Sequence, residues 1–223
     1  MPYTGFAKTN EGYLIDIFRV IFEKNGYIVE AKSIPWSRAV IETERGTYDA
    51  IAGAYRTDVP GFVLPDIEQG IGIDMFFTLK ESTWTFTGIS SLEFVTLGVV
   101  KDYSYGREID TYIKKNIHDV SRINSLPGDD NLLHRMLNLL RHGRIGAFIE
   151  NKDVLYFVFD TNEILDIREA GTRGSDNIYI AFSPNNPKSK EYAKILSDGL
   201  RHLRQSGELA VILKKYSLND WRK

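Results

Sequence analysis

The sequence contains no cysteine among its 223 residues, which excludes disulfide bonds and thiolate metal ligands. No apolar run approaches the roughly 18 residues that a membrane-spanning helix needs. An excess of one charge sign is also missing, since 28 basic and 30 acidic side chains leave a formal net charge of −2. That balance argues against a general nucleic-acid binder. With 43% hydrophobic and 26% charged residues, the composition is that of a globular chain long enough for one large or two small domains.

Catalytic and metal-binding motifs are scarce as well. The sequence has no Gly-Xaa-Ser-Xaa-Gly nucleophile elbow and no phosphate-binding loop. Its four histidines are scattered, and the two that share a predicted helix, His134 and His142, have no carboxylates nearby. We therefore expect no metal, no cofactor and no set of catalytic residues.

Hydrophobic spacing in the first quarter of the chain alternates between two periods. Apolar residues recur at helical spacing over residues 10–25, alternate as in a strand over 27–34, and return to helical spacing between Pro35 and Gly46. Residues 49–54 form the next predicted strand. This β-α-β-α-β order predicts an α/β fold with a parallel sheet covered by helices.

The remainder of the chain continues with strands and helices. Strands are predicted over 71–79, 95–100, the end of 143–149, and 178–182. Helices are predicted over 107–116, after Asp129 and Asp130, and over 186–216 with a break near Gly207.

The segment Tyr48–Asp58 is the most informative one for function. An apolar strand ends there in small residues, including Gly53, and continues into Tyr55 and Arg56. Small molecules bind at this edge of open α/β sheets. Trp36, at the start of the preceding predicted helix, lies close enough in sequence to complete one wall of a small-molecule cleft.

These motifs occur along most of the chain. They are Pro2-Tyr3, residues 12–17, Pro35-Trp36, residues 46–51, 97–100, 103–106, 143–147 and 206–210, and Lys215-Tyr216. In this order they resemble the type II periplasmic solute-binding proteins, specifically the substrate-binding family of polar amino acid ABC transporters (extracellular solute-binding family 3). One departure is that the family usually has a strand before Pro2-Tyr3. Residues 1–5 also have neither the charged start nor the apolar centre of a signal peptide, so we interpret Met1 as a start residue before a mature sequence.

The resemblance implies a fold and a function. The fold would have two α/β lobes, each with a mixed, mostly parallel sheet flanked by helices, joined by a hinge. Lobe 1 would comprise residues 1–73 and 184–223, and lobe 2 residues 74–183, with crossings near Ile71–Asp74 and Phe182–Asn185. The protein would be a periplasmic, monomeric, non-enzymatic binding protein. It would capture an amino acid or a similar small polar molecule by hinge closure and deliver it to an ABC transporter permease, without binding nucleic acid.

The resemblance places five ligand-binding residues in lobe 1: Tyr3, Trp36, Gly53, Tyr55 and Arg56. Trp36 would stack on the ligand, with a core tryptophan as the alternative, and plain packing is an equal alternative for the two tyrosines. Family members place their carboxylate-binding arginine where this chain has Pro60. Arg56 could replace it only if its side chain turns inward, and a solvated arginine is the alternative.

Four further ligand-binding residues are expected in lobe 2: Tyr103, Ser104, Glu150 and Asn151. The segment that begins at Asp102 precedes a helix, where backbone N–H groups and the Ser104 hydroxyl suit an anionic group, or form an ordinary helix cap. The family's ammonium-binding aspartate corresponds to Asn151, which has no charge. Glu150 would compensate if it points inward, and is otherwise a solvated side chain.

Two other functions remain open. A hydro-lyase of the cyclohexadienyl-dehydratase type needs a protonated carboxyl opposite a cation, for which Glu150 and Arg56 are the candidates. A ligand-sensing domain of a signalling protein would use the same binding and closure.

Overall fold

The computed structural model divides into two compact units. Unit 1 comprises Met1–Ile71 and Asp176–Lys223, and unit 2 comprises Gly72–Ser175. The second boundary lies earlier than the sequence-based one after residue 183, because residues 178–182 pair with a strand of unit 1. The structure describes residues 3–4, 11–101, 103–128, 131–159 and 161–222, the side chain of residue 161 excepted.

Seven helices and six strands are described. The helices are α1 (Tyr13–Lys24), α2 (Trp36–Glu44), α3 (Arg107–Asn116), α4 (Leu132–Arg141), α5 (Lys152–Val158), α6 (Ser189–Ser206) and α7 (Glu208–Lys214). The strands are β1 (Ala50–Tyr55), β2 (Gly70–Leu79), β3 (Leu97–Val100), β4 (Ile123–Leu126), β5 (Ala147–Asn151) and β6 (Ile167–Phe182). None of these helices is long and apolar enough to cross a membrane.

In unit 1, β1 pairs with the end of β6 in antiparallel orientation, from Ala50 opposite Phe182 to Tyr55 opposite Ile178. Ile51 and Ala54 of β1 form a buried cluster with Ala181, against which α2 packs. The amphipathic spacing predicted for the last helices is confirmed: α6 ends and α7 begins at Gly207, whose φ of 83° is the left-handed conformation that favours glycine at a helix end.

The strand predicted over residues 27–34 is wrong. The segment has no regular secondary structure, and no described strand pairs with it. Alternation stabilises a strand only if one face is buried and a neighbour accepts its hydrogen bonds. None of residues 27–34 is buried, Ile28 being 92% exposed, and no strand among the described residues accepts their hydrogen bonds. The parallel sheet implied for the start of the chain is therefore replaced, in the described part of unit 1, by the antiparallel pair of β1 and β6.

Unit 2 combines both strand orientations. β2 pairs with β5 in antiparallel orientation, while β3 lies parallel to both β4 and β5. Buried apolar residues of these strands and of α3, among them Phe76, Leu97 and Ile109, form its core. Because β3 and β5 are parallel, their carboxyl ends meet at one edge of the sheet. The predicted starting residues of α4, Asp129 and Asp130, lie outside the described residues.

Candidate functional site

The end of β1 in unit 1 is shaped by a bulge. The register against β6 shifts between Ala52 and Ala54, and Gly53 between them has a φ of 90°. A non-glycine residue is strained in this conformation, so glycine at this position permits the bulge. A Cβ at Gly53 would lie 3.9 Å from Cγ2 of Thr4, so residue 4 lies beside the bulge.

Tyr55 and Arg56 follow the bulge. The backbone N–H of Tyr55 donates to Oδ2 of Asp58 at 3.2 Å, which forms a tight turn after the strand. Arg56 is exposed, and its guanidinium carbon lies 5.4 Å from the ring centre of Tyr179 on the paired strand. The arginine is thus neither fully solvated nor buried, since it lies against an aromatic face within unit 1.

Trp36 is the first residue of α2 and is 37% exposed. The only fully buried residue of this helix is Thr43, near its other end. The ring of Trp36 is therefore not part of the core of unit 1.

Tyr3, in contrast, is a packing residue. It is 8% exposed, its ring centre lies 5.4 Å from that of Tyr13, and its hydroxyl donates to the carbonyl of Ile71 at 3.2 Å. The structure thus places Tyr3 where the packing alternative predicts, with its hydroxyl engaged by the backbone of unit 1.

In unit 2, the segment after β3 is organised by Asp110 of α3. Its two carboxylate oxygens accept hydrogen bonds from the Ser104 hydroxyl and from the backbone N–H of Tyr105, both at 2.7 Å. The Ser104 oxygen in turn accepts from the N–H of Gly106 at 3.4 Å. The hydroxyl that was expected to bind an anion therefore donates its hydrogen bond to Asp110 of α3. Asp102 lies outside the described residues.

Asn151, at the end of β5, caps the next helix. Its side-chain oxygen accepts hydrogen bonds from the backbone N–H groups of Asp153 and Val154, at 3.0 and 3.3 Å. An asparagine is among the preferred residues at such a position. The carbonyl that sequence reasoning assigned to a ligand is thus used to begin α5.

Glu150 precedes the cap and is half-buried. One of its carboxylate oxygens accepts from the backbone N–H of Asn151 at 2.8 Å. Burial is the main cause that raises the pKa of Glu150. The hydrogen bond from the Asn151 N–H lowers this pKa, and the negative charge of Asp74 raises it again. The resulting pKa is about 7. Partial burial and then the charge of Glu150 also raise the pKa of Tyr103, whose ring is 49% exposed. Glu150, in β5, and Tyr103, which follows β3, therefore lie toward the edge of the unit 2 sheet where these two parallel strands end.

Sequence reasoning missed an ion pair beside this site. Asp74 is 6% exposed, and its Oδ2 accepts from Nε and Nη2 of Arg173 at 3.0 and 2.6 Å. The Thr172 hydroxyl donates to the Asp74 carbonyl at 2.9 Å. Asp74 lies opposite Asn151 in the pairing of β2 with β5. The sequence did contain a sign of this ion pair, because Asp74 is the single charged residue of β2 and a charge in a buried strand needs a partner.

No protein-family model matches the chain, and no curated protein matches its sequence. Solved structures do match. A mutant of ArgBP from T. maritima has a TM-score of 0.71 at 16% identity, with 96% of this chain and 90% of that chain covered. A histidine kinase sensor domain with similarity to periplasmic binding proteins gives a TM-score of 0.74 at 17% identity and covers the same shares.

The substrate-binding protein of an amino acid ABC transporter is also similar, with a TM-score of 0.67 at 16% identity and with 96% of this chain and 93% of that chain covered. Identities this low establish the fold and not the ligand. Since the likeness extends over nearly the whole chain, the sequence-based fold prediction is confirmed: the chain has the α/β fold of type II periplasmic-binding proteins.

Proposed function

We propose that this chain is an extracytoplasmic solute-binding protein that captures a small polar molecule, an amino acid or a similar compound, by hinge closure and delivers it to an ABC transporter. The observation that carries the proposal is the edge of unit 2 where β3 and β5 end. The half-buried carboxylate of Glu150 lies near the end of β5, toward this edge, and the exposed Tyr103 follows the end of the neighbouring strand β3. The fold supports this reading, because several proteins that share it are named for binding amino acids.

Unit 1 supplies a second set of residues to the proposal. Trp36 offers an exposed aromatic ring and Arg56 an exposed cation. The bulge at Gly53 and the turn that begins at Tyr55 set the position of Arg56. We assign direct contact with the ligand to Trp36, Arg56, Tyr103 and Glu150. Tyr3, Gly53, Tyr55, Ser104 and Asn151 are assigned the role of holding the surrounding backbone.

A thermal-shift screen of refolded, ligand-stripped protein tests the proposal. The panel comprises amino acids, amines, small carboxylates and aromatic acids. A ligand present at a hundredfold its Kd adds about 2.7 kcal/mol to the free energy of unfolding, which raises Tm measurably. A hit that is lost in Trp36→Ala and retained in Ile28→Ala, a control with an exposed apolar side chain elsewhere in unit 1, supports the proposal. The absence of any hit across the panel would refute it.

A sensing role is favoured by one observation, the similarity to the histidine kinase sensor domain. Binding would be the same in a sensor, and only the output would differ. The complete coding region distinguishes the two roles: a membrane span and an output domain in the same protein indicate sensing, whereas a permease encoded alongside indicates transport.

An enzymatic role is favoured by the pKa of about 7 at Glu150, since a hydro-lyase needs a carboxyl that holds its proton near neutral pH. Incubation of the purified, folded protein with prephenate and arogenate tests this role. Turnover that disappears in Glu150→Gln would establish it, and no turnover would exclude these two substrates.

A further inference from the structure

The chain between α1 and α2 has the composition of a strand but no partner strand among the described residues. This stretch, the 27–34 segment, reads Tyr-Ile-Val-Glu-Ala-Lys-Ser-Ile and is bounded by Gly26 and Pro35. Its β-branched and aromatic residues favour an extended backbone. None of its residues is buried, and Ile28 is 92% exposed. An exposed segment of this kind is a template for pairing with a strand of another chain.

The 27–34 segment is held on the surface of unit 1 at its beginning. The ring centre of Tyr27 lies 5.5 Å from that of Tyr192 in α6. The carbonyl of Val29 accepts from Nη1 of Arg19 in α1 at 2.6 Å. Because these contacts already restrict the segment, it loses less conformational entropy when a partner strand pairs with it.

The segment also has backbone groups for a partner strand. In an extended chain the N–H and C=O groups of successive residues point to opposite sides. With the Val29 carbonyl held toward α1, those of Ile28, Glu30 and Lys32 are directed away from α1. Among the described residues, none forms a backbone hydrogen bond with these three. They can therefore form the hydrogen bonds of an antiparallel pair.

Two opposite charges of the 27–34 segment have no ion-pair partner within the part of the chain that the structure describes. Glu30 and Lys32 are both exposed. The Lys32 ammonium lies 5.8 Å from the ring centre of Tyr48, and no described carboxylate pairs with it. Both charges are therefore available to an opposite charge on another chain.

The sequence of the 27–34 segment is complementary to itself when two copies run antiparallel about Ala31. Ile28 then lies opposite Ile34 of the second copy, and Glu30 lies opposite Lys32. These four residues alternate along the strand and share one face, which carries two ion pairs flanked by isoleucine pairs. Moving the centre by one residue places Glu30 opposite Glu30, or Lys32 opposite Lys32, and like charges at opposite positions are destabilising. The charges therefore specify a single register.

We infer that two copies of this chain associate through antiparallel pairing of their 27–34 segments, in a symmetric dimer centred on Ala31. The contact is isologous, with the same residues contributed by each copy. A two-stranded ribbon is marginally stable in water, so the dimer is weak and forms reversibly as the concentration rises. The inference is independent of the proposed binding function and departs from the monomer that the resemblance implies. It also gives the strand pattern of this segment a partner that the single chain does not supply.

Sedimentation velocity and hydrogen–deuterium exchange, from micromolar to millimolar concentration, test the inference. We expect a monomer–dimer equilibrium in which peptides covering the 27–34 segment become protected at high concentration, while those of α2 do not change. Glu30→Lys should weaken dimerisation at least about tenfold, because both ion pairs become like-charge contacts. Lys32→Glu should have the same effect. Glu44→Lys, at an exposed glutamate of α2, should leave dimerisation unchanged.

Mixing the two charge variants distinguishes this pairing from any other contact. A Glu30→Lys chain has two cations in the segment and a Lys32→Glu chain has two anions, so a mixed dimer regains opposite charges at every charged position. We expect each variant alone to stay monomeric at concentrations where the unchanged protein dimerises, and the mixture to dimerise. The double variant Glu30→Lys/Lys32→Glu exchanges the two charges and should dimerise like the unchanged protein.

Three outcomes overturn the inference. One is a protein that stays monomeric over the whole range of concentration. Another is a dimer that Glu30→Lys does not weaken, since such a dimer uses a different surface. The third is a mixture of the two charge variants that forms no mixed dimer. Thermal unfolding should be unchanged in each variant, because both substituted side chains are exposed. Ligand binding is not part of any of these measurements, so their failure leaves the proposed function standing.

Discussion

The carboxylate of Glu68, near the end of the first segment of unit 1, is buried and bonded to the C-terminal segment. Glu68 is 5% exposed and accepts hydrogen bonds from Trp221 Nε1 at 2.9 Å and from Arg222 Nη2 at 2.6 Å. Burial alone would raise its pKa, but hydrogen bonds from Arg222, from the backbone and from Trp221 lower the pKa from 4.5 to about 2. The C-terminal segment is thus attached to the chain just before β2. We predict that Glu68→Gln weakens this attachment and destabilises the protein.

The magnitude follows from the shift in pKa. A group whose pKa falls from 4.5 to about 2 on folding stabilises the folded state by about 3 kcal/mol at pH 7, at 1.36 kcal/mol per pKa unit. Because the folded pKa is depressed, this stability is fully present above pH 4.5 and is lost as the pH falls toward 2. At pH 3 about 1.4 kcal/mol of this stabilisation remains. Glutamine cannot ionise, so the cost of Glu68→Gln should shrink by about 2 kcal/mol between pH 7 and pH 3.

Urea unfolding at pH 7, 5, 4 and 3 measures this difference, with fluorescence and circular dichroism as independent probes. Glu44→Gln is the matched control, since Glu44 is an exposed glutamate of the same unit. We expect the control to change the free energy of unfolding by less than about 0.5 kcal/mol at every pH. The reasoning is refuted if Glu68→Gln costs less than about 1 kcal/mol at pH 7, or if its cost does not fall with pH.

Three further predictions follow from the site. Trp36→Ala should weaken the binding of a hit from the thermal-shift screen at least tenfold. The free energy of unfolding measured in urea should change by less than about 0.5 kcal/mol, because the ring is not in the core. Unchanged affinity would exclude Trp36 from the site. Gly53→Ala should cost about 1–2 kcal/mol in urea unfolding, because alanine is strained at a φ of 90°. Asn151→Ala should cost about 1 kcal/mol through loss of the cap of α5, and Asn151→Ser, which can still cap and adds no charge opposite Asp74, should cost clearly less. Equal costs for the two Asn151 variants would contradict the capping role.

Local patterns predicted most helices well. The structure has α3 at the predicted residues 107–116, and the last helices meet at Gly207 as expected. Helical hydrogen bonds are made within one segment, so amphipathic spacing and terminal residues carry most of the required information. Strand prediction was weaker, as residues 27–34 show. A strand depends on a partner that the local sequence does not specify.

The candidate site shows the same difference between features set by local sequence and features set by tertiary contacts. The sequence identified the small residues at the end of β1, the aromatic residue at the start of α2 and the acidic end of β5, because each stands at the junction of a predicted element. It could not reveal that Tyr3 packs against Tyr13, or that the oxygen of Asn151 is engaged by α5. Both facts depend on distances between atoms that only the folded backbone determines.

The sequence by itself determined the α/β class, the order of most elements and the family that the chain resembles, because these follow from periodicity and from short motifs. The tertiary structure decided which charges are neutralised. Arg173 pairs with Asp74 across 99 positions of the chain, and Glu150 is left with the backbone alone among the described residues. Electrostatic interactions depend on separation in space and on burial, and neither can be read from order along the chain.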